Sequence, residues 1–190
     1  MKTIILFLLL LLTAPLAQAR VESWYTYWSI GISRNTYPTA LQQAIDQVDA
    51  IPGVNRVQIG LDMLGFYWPL SDNKTILGFV MNGDGDRLSD QSNYIQINTY
   101  LYGLSAMHFF GDEPGQGFFL RGDYGISTGV TQSNYGTSQS NQNGTGFLVG
   151  TGYGIAISDE TRIILGVSYT SKTIESEIYN STLLTIGGLW

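Results

Sequence analysis

The sequence has no cysteine and one histidine. The first absence removes disulfide frameworks and thiolate chemistry, and together they leave no metal site of the usual nitrogen and sulfur type. Charge is scarce as well: Asp, Glu, Lys and Arg make up 13% of the chain, against about 25% in ordinary soluble domains. The charge that remains is mostly negative, with Asp+Glu 15 against Lys+Arg 9. That balance disfavours nucleic acid as a partner, because phosphate neutralisation draws on lysine and arginine. Beyond Leu12 no apolar run is long enough to cross a membrane as a helix, which takes about 20 residues.

What the chain has instead is glycine, 23 residues, and tyrosine, 12 residues, with a mean hydropathy close to zero. A transmembrane β-barrel accounts for this mixture. One face of each strand is apolar to meet lipid, the other is uncharged-polar or glycine, and charge is confined to loops and a few lumen positions. A secreted β-sandwich is the competing reading.

At the start, Lys2 precedes an apolar run from Ile4 to Leu12, followed by Pro15 and Ala17-Gln18-Ala19. A charged residue, a short apolar core and a small-residue Ala-x-Ala site make a secretory signal peptide. Residues 1–19 are therefore expected to be cleaved on export through the Sec route, leaving residues 20–190 as one transmembrane β-barrel domain.

Period-two alternation supports that assignment, since lipid-facing and lumen-facing side chains alternate along a barrel strand. Over residues 117–131, Phe118, Leu120, Tyr124, Ile126, Thr128 and Val130 share one face, and Phe119, Arg121, Asp123, Gly125, Ser127 and Gly129 the other. Residues 54–68 place Val57, Ile59, Leu61 and Met63 outward, with Arg56, Gln58, Gly60 and Asp62 inward. Residues 94–107 are read with Ile95, Ile97, Thr99 and Leu101 outward and Gln96, Asn98, Tyr100 and Tyr102 inward. Adding 22–33, 75–82, 147–157, 161–171 and 182–190 gives eight strands, an even number as single-chain bacterial barrels have. The fold class is thus all-β, an eight-stranded antiparallel transmembrane β-barrel. Short turns at 69–74, 111–116 and 158–160 alternate with longer connections at 34–53, 83–93, 132–146 and 172–181, which puts both termini on the periplasmic side.

The first long connection carries helical periodicity: Leu41, Ala44, Ile45, Val48 and Ile51 recur on one face over residues 39–51. This amphipathic loop helix must bury its stripe in the barrel mouth, at the membrane interface or against another subunit. On the same topology Trp24, Trp28, Phe66, Trp68, Phe109, Phe118 and Trp190 lie toward the periplasmic end, the arrangement of an interfacial aromatic girdle.

Arg56, Asp62, Arg121 and Asp123 fall on inward faces and are expected to form one lumen ion-pair network, since an unpaired charge in a narrow barrel costs several kcal/mol. Such a network would plug the interior. Gly83-Asp84-Gly85-Asp86 with Asp90 reads as an exposed acidic turn, because its spacing does not match a calcium loop. His108 falls at the periplasmic end of its strand. With no recognisable nucleophile, base and orienter set, the chain is not expected to be an enzyme and calls for no cofactor.

The signal peptide, the eight amphipathic strands and the terminal aromatic together resemble the small outer-membrane β-barrel superfamily that contains the OmpA membrane domain, OmpX and Ail. The resemblance implies a Gram-negative outer-membrane location, lipid as surroundings, and the barrel-assembly machinery as a partner during insertion. It also implies that Trp190, with Leu184 and Ile186 on the same face, forms the C-terminal insertion signal, although Gly188 stands where a bulky residue is usual. Members of the superfamily act as anchors, adhesins, leak channels and lipid enzymes, and fold alone does not choose among these. The function expected here is that of a non-enzymatic structural or surface-interaction protein, self-assembling into a homo-oligomer that encloses lipid. A narrow pore is the alternative, followed by a lipid-modifying enzyme.

Overall fold

Alternating apolar and small or polar residues give long antiparallel strands that close on themselves. The computed structural model describes residues 24–70, 74–140, 142–158 and 160–190. The expected signal peptide lies outside them. In chain order the elements are β1 (Tyr25–Thr36), α1 (Thr39–Asp49), β2 (Asn55–Pro69), β3 (Thr75–Ser89), β4 (Tyr94–Phe109), β5 (Gly117–Ser133), β6 (Gly136–Gln139), β7 (Gly144–Ala156), β8 (Arg162–Ile174) and β9 (Glu177–Leu189). The sheet runs β4-β3-β2-β1-β9-β8-β7-β5, and β4 pairs with β5 to close an eight-stranded barrel. The short β6 pairs with β5 beyond the end of β7. At the end carrying the termini, the backbone of Trp190 pairs with that of Thr26 at 2.7 and 3.2 Å.

Strand β2 contains a bulge between Met63 and Phe66, where Leu64 adopts φ 53° with its side chain outside the barrel. The inserted residue changes the alternation, so that Asp62 and Tyr67 both face the lumen while Met63, Phe66 and Trp68 face out. The lumen is packed along its length. At the terminal end Tyr27, Tyr67, Ile76, Met107, Phe109, Phe119, Ile164 and Leu189 form an apolar plug. At the opposite end Ile45 of α1 packs with Tyr37, Leu88 and Ile97, flanked by Leu41, Val48 and Tyr179.

Helix α1 thus docks in the mouth of its own barrel. Of the expected apolar stripe, Ile45 is buried and Leu41 and Val48 half-buried, whereas Ala44 and Ile51 are exposed. Ile51 lies past the last helical residue, where the chain has already turned toward Gly53 at φ 90°.

Three expectations are corrected. The faces of β4 are reversed: Ile97, Thr99 and Leu101 are buried in the lumen, while Tyr102 and Leu104 are outside. Phe109 follows the same parity and sits at 0% exposure in the apolar plug, so it is not a member of the outward girdle. Finally, the connections at 83–93 and 172–181 are mostly strand. β3 runs on to Ser89, and β8 joins β9 through Glu175 and Ser176, both at positive φ. Loop length therefore does not separate the two ends of this barrel.

Candidate functional site

Arg121 stands at the centre of the lumen. From β5 it donates to Asp62 of β2 through Nη1 to Oδ2 at 2.7 Å and Nη2 to Oδ1 at 3.0 Å. It also donates to Asp123, two residues on and on the same face, through Nε at 3.0 Å. Both carboxylates are satisfied further: Ser29 Oγ donates to Asp62 at 2.8 Å, Asn82 Nδ2 at 3.2 Å, and Ser105 Oγ donates to Asp123. Tyr67 donates to Ser105 at 2.8 Å, tying the layer to the apolar plug. All members are buried, so the guanidinium is chelated by two carboxylates whose other lone pairs are occupied, the condition under which buried charge is tolerated.

Arg56 is not part of this layer. It lies nearer the helix-bearing end, where Nη2 meets Asp86 Oδ2 at 2.6 Å and Nη1 meets Asp49 of α1 at 3.3 Å. Asp86 also accepts from Tyr37 Oη at 2.9 Å and Gln58 Nε2 at 2.9 Å. Burial, with the neighbouring Asp86 charge, pushes the Tyr37 hydroxyl well above its ordinary range. Asp86 is thus a latch, holding the segment before α1 and, through Arg56, the end of α1 itself.

Between the two layers Lys172 of β8 donates to Asp84 of β3, and Ser181 Oγ donates to the same carboxylate at 2.8 Å. Lys172 is also within 3.3 Å of the Thr99 hydroxyl. Asp84 and Asp86 are buried lumen groups, which corrects their reading as an exposed acidic turn. The signal that could have placed them is the strict Asp/Gly alternation of residues 83–86, which continues the inward parity of Ile76, Val80 and Asn82. Lys172 was likewise reachable by extending the alternation of Ile164 and Thr170.

At the other end Arg162 Nη2 lies 3.3 Å from Glu113 Oε1, with the guanidinium over the Tyr25 ring. Gly115, at φ 82°, rests against the Arg162 side chain, where a Cβ would collide. His108 lies at this end, its Nδ1 2.9 Å from Thr75 Oγ1 and its ring edge-on to Phe110. Outside, Trp24 stacks on Phe66, Trp68 meets Phe79 and Trp28 meets Trp190 edge-on. Phe118, Leu184 and Ile186 also point out. Toward the helix-bearing end the outward face becomes mixed, with Arg34, Arg87, Thr173 and Thr182 exposed beside the apolar Val57 and Ile178.

No family model and no curated protein sequence matches the chain. Among solved structures it is similar to Neisserial surface protein A, at 14% identity and a TM-score of 0.52, over 87% of this chain and 95% of that one. It is similar as well to Ail, the attachment invasion locus protein of Yersinia pestis, solved in complex with the heparin analogue sucrose octasulfate. There the identity is 10% and the TM-score 0.51, over 88% of this chain and 99% of that one. The likeness is one of architecture: the chain has the fold of the small outer-membrane β-barrels.

Proposed function

We propose that this protein is a sealed outer-membrane barrel that acts through its helix-bearing end as a surface-interaction element, without conducting solutes and without catalysing a reaction. The observation that carries this reading is the continuous filling of the lumen: apolar plug, Arg121 layer, Lys172–Asp84 pair, Asp86 latch and docked helix. An eight-stranded barrel has an interior just wide enough for side chains to fill. Here three buried charge layers and two apolar clusters occupy it, which supports a structural role for the charges over a gate. The aromatic band at the terminal end, and the outward-facing Arg34 and Arg87 toward the other, support insertion with the helix-bearing end in the medium.

Because α1 buries its apolar residues in its own barrel, it no longer argues for self-association, and the reading does not require an oligomer. Planar-bilayer recording of the mature protein tests the proposal. The expected result is a quiet trace with no stable conductance steps. Steps in the unmodified protein that disappear when the helix is tethered to the mouth would instead establish a gated pore.

A further inference from the structure

Beside α1, outside the layers that seal the lumen, the mouth keeps some open space. A crevice of about 180 Å³ opens between α1, the β5–β6 hairpin and the β8–β9 turn. It is smaller than the about 300–1,000 Å³ of drug-sized sites, and suits one ring-sized group. Its two sides differ in chemistry. Leu41, Ile97 and Ile174 form an apolar wall, while Thr131 and Ser138, partners across the β5–β6 ladder, present hydroxyl groups. The polar wall is fixed in place: Ser140 Oγ accepts from the Gly129 N–H at 3.1 Å and pairs with the Thr128 hydroxyl at 3.1 Å, and the Ser140 N–H donates to Gly129 O at 2.9 Å. Among the described residues no lysine, arginine or histidine lines the crevice, and the charged group on its wall is the carboxylate of Glu175. Lys172, whose ammonium reaches the crevice-lining Thr99, is buried and paired with Asp84.

A ligand matched to these walls carries hydroxyls on its edge, an apolar face, and no negative charge. We propose that the crevice binds a neutral sugar unit, with the apolar C–H face of the ring against Leu41, Ile97 and Ile174 and its hydroxyls on Thr131 and Ser138. The absence of cations and the presence of Glu175 reject phosphorylated or sulfated sugars by repulsion and unpaired desolvation. This inference rests on the reading of the helix-bearing end as an interaction surface, and specifies its ligand class.

Saturation-transfer NMR on the mature protein tests it, in micelles of a detergent without a sugar headgroup. The probes are glucose, galactose and N-acetylglucosamine, each alone, with glucose 6-phosphate as the anionic counterpart. Expected is a transfer signal from at least one neutral sugar and none from the phosphate. Ser138→Trp, at an exposed position of β6, fills the crevice and abolishes the signal. Gln47→Trp, on the exposed face of α1, leaves it intact, and heat-modifiable gel mobility verifies that both variants are folded. Silence from every neutral sugar, signal from the phosphate alone, or a signal indifferent to Ser138→Trp overturns the proposal. Because the measurement is made in micelles, such a failure leaves the membrane orientation and the sealed-barrel reading standing; conductance and surface labelling judge those separately.

Discussion

Arg121 and Asp62 are 59 positions apart in the chain, yet the closure of the barrel brings Nη1 of one to 2.7 Å from Oδ2 of the other. Removing the cation leaves Asp62 and Asp123 buried without a counter-charge. Arg121→Met is expected to cost about 3–5 kcal/mol, the penalty of breaking a buried pair from one side. Adding Asp62→Asn and Asp123→Asn recovers most of it, because the uncompensated charges are then gone. Urea unfolding of the protein reconstituted in vesicles measures both. A loss no larger than the about 0–1 kcal/mol typical of surface pairs would show that water reaches this layer.

The Asp86 latch makes a different prediction. Asp86→Ala releases the Tyr37 hydroxyl, Gln58 and Arg56 together, freeing α1 without touching the Arg121 layer. Protease treatment of reconstituted protein should leave residues 39–51 intact in the parent and cut them in the variant, with the barrel still resistant. Equal cutting in both would mean that the apolar contacts of Ile45 alone set the position of the helix.

How much of this was legible in the chain depended on where apolar residues were used. In β5 the charges Arg121 and Asp123 mark one face and the large apolar residues the other, so the alternation is unambiguous. In β4 the lumen side holds Ile97 and Leu101 and then Met107 and Phe109, because that strand passes from the helix-capped mouth to the apolar plug, and the outer side holds Tyr100, Tyr102 and Leu104. With apolar residues on both faces, period two no longer says which is inside. The strand ends failed for another reason. Toward the helix-bearing end the outward positions mix polar and apolar residues, as at Arg87 beside Val57 and Thr173 beside Ile178, so the amphipathic signal stops while the backbone pairing continues. Alternation puts Arg56 on the inward face but gives no height, and its partners Asp86 and Asp49 lie in stretches whose sequence reads as a turn and a loop helix.

The β8–β9 turn offers a stabilising change. Glu175 and Ser176 have φ of 52° and 67°, the pattern of a type I′ hairpin, which favours glycine at the second position. Ser176→Gly relieves a left-handed L-residue but makes the unfolded chain more flexible, so the net gain is expected at up to about 1 kcal/mol. Destabilisation in the same urea assay would mean that the serine makes a compensating contact.

At the loop after β3, Asp90 accepts from the backbone N–H groups of Ser92 and Asn93, both at 2.7 Å, and these bonds hold its carboxyl below the usual carboxylate range. A depressed pKa means that the charged form is the stabilising one. The local contribution is complete above the ordinary carboxylate value and fades as pH falls through the lowered one. Amide exchange at Ser92 and Asn93, corrected for intrinsic rates, should therefore show protection that is lost only below the ordinary carboxylate value, and Asp90→Asn should remove that pH dependence. Protection lost already at the ordinary carboxylate value would contradict the shift.

The indole of Trp190 folds back over Gly188, where a Cβ would strike the ring, and its edge meets Trp28 with centroids 6.0 Å apart. This contact explains why glycine stands two places before the final aromatic: the space a bulky residue would take is filled by Trp190 itself. Gly188→Val should therefore act like Trp190→Ala, since each removes the ring from its seat. Two roles of that ring separate by experiment. An interface anchor stabilises the inserted barrel wherever it is made, so losing it lowers stability after spontaneous refolding into vesicles. A signal read by assembly machinery matters only in cells. With Trp28 and the other outward aromatics still present, both variants are expected to refold normally in vesicles while accumulating poorly in cell membranes. Equal loss in the two settings would assign Trp190 to anchoring and remove the case for its recognition by assembly machinery.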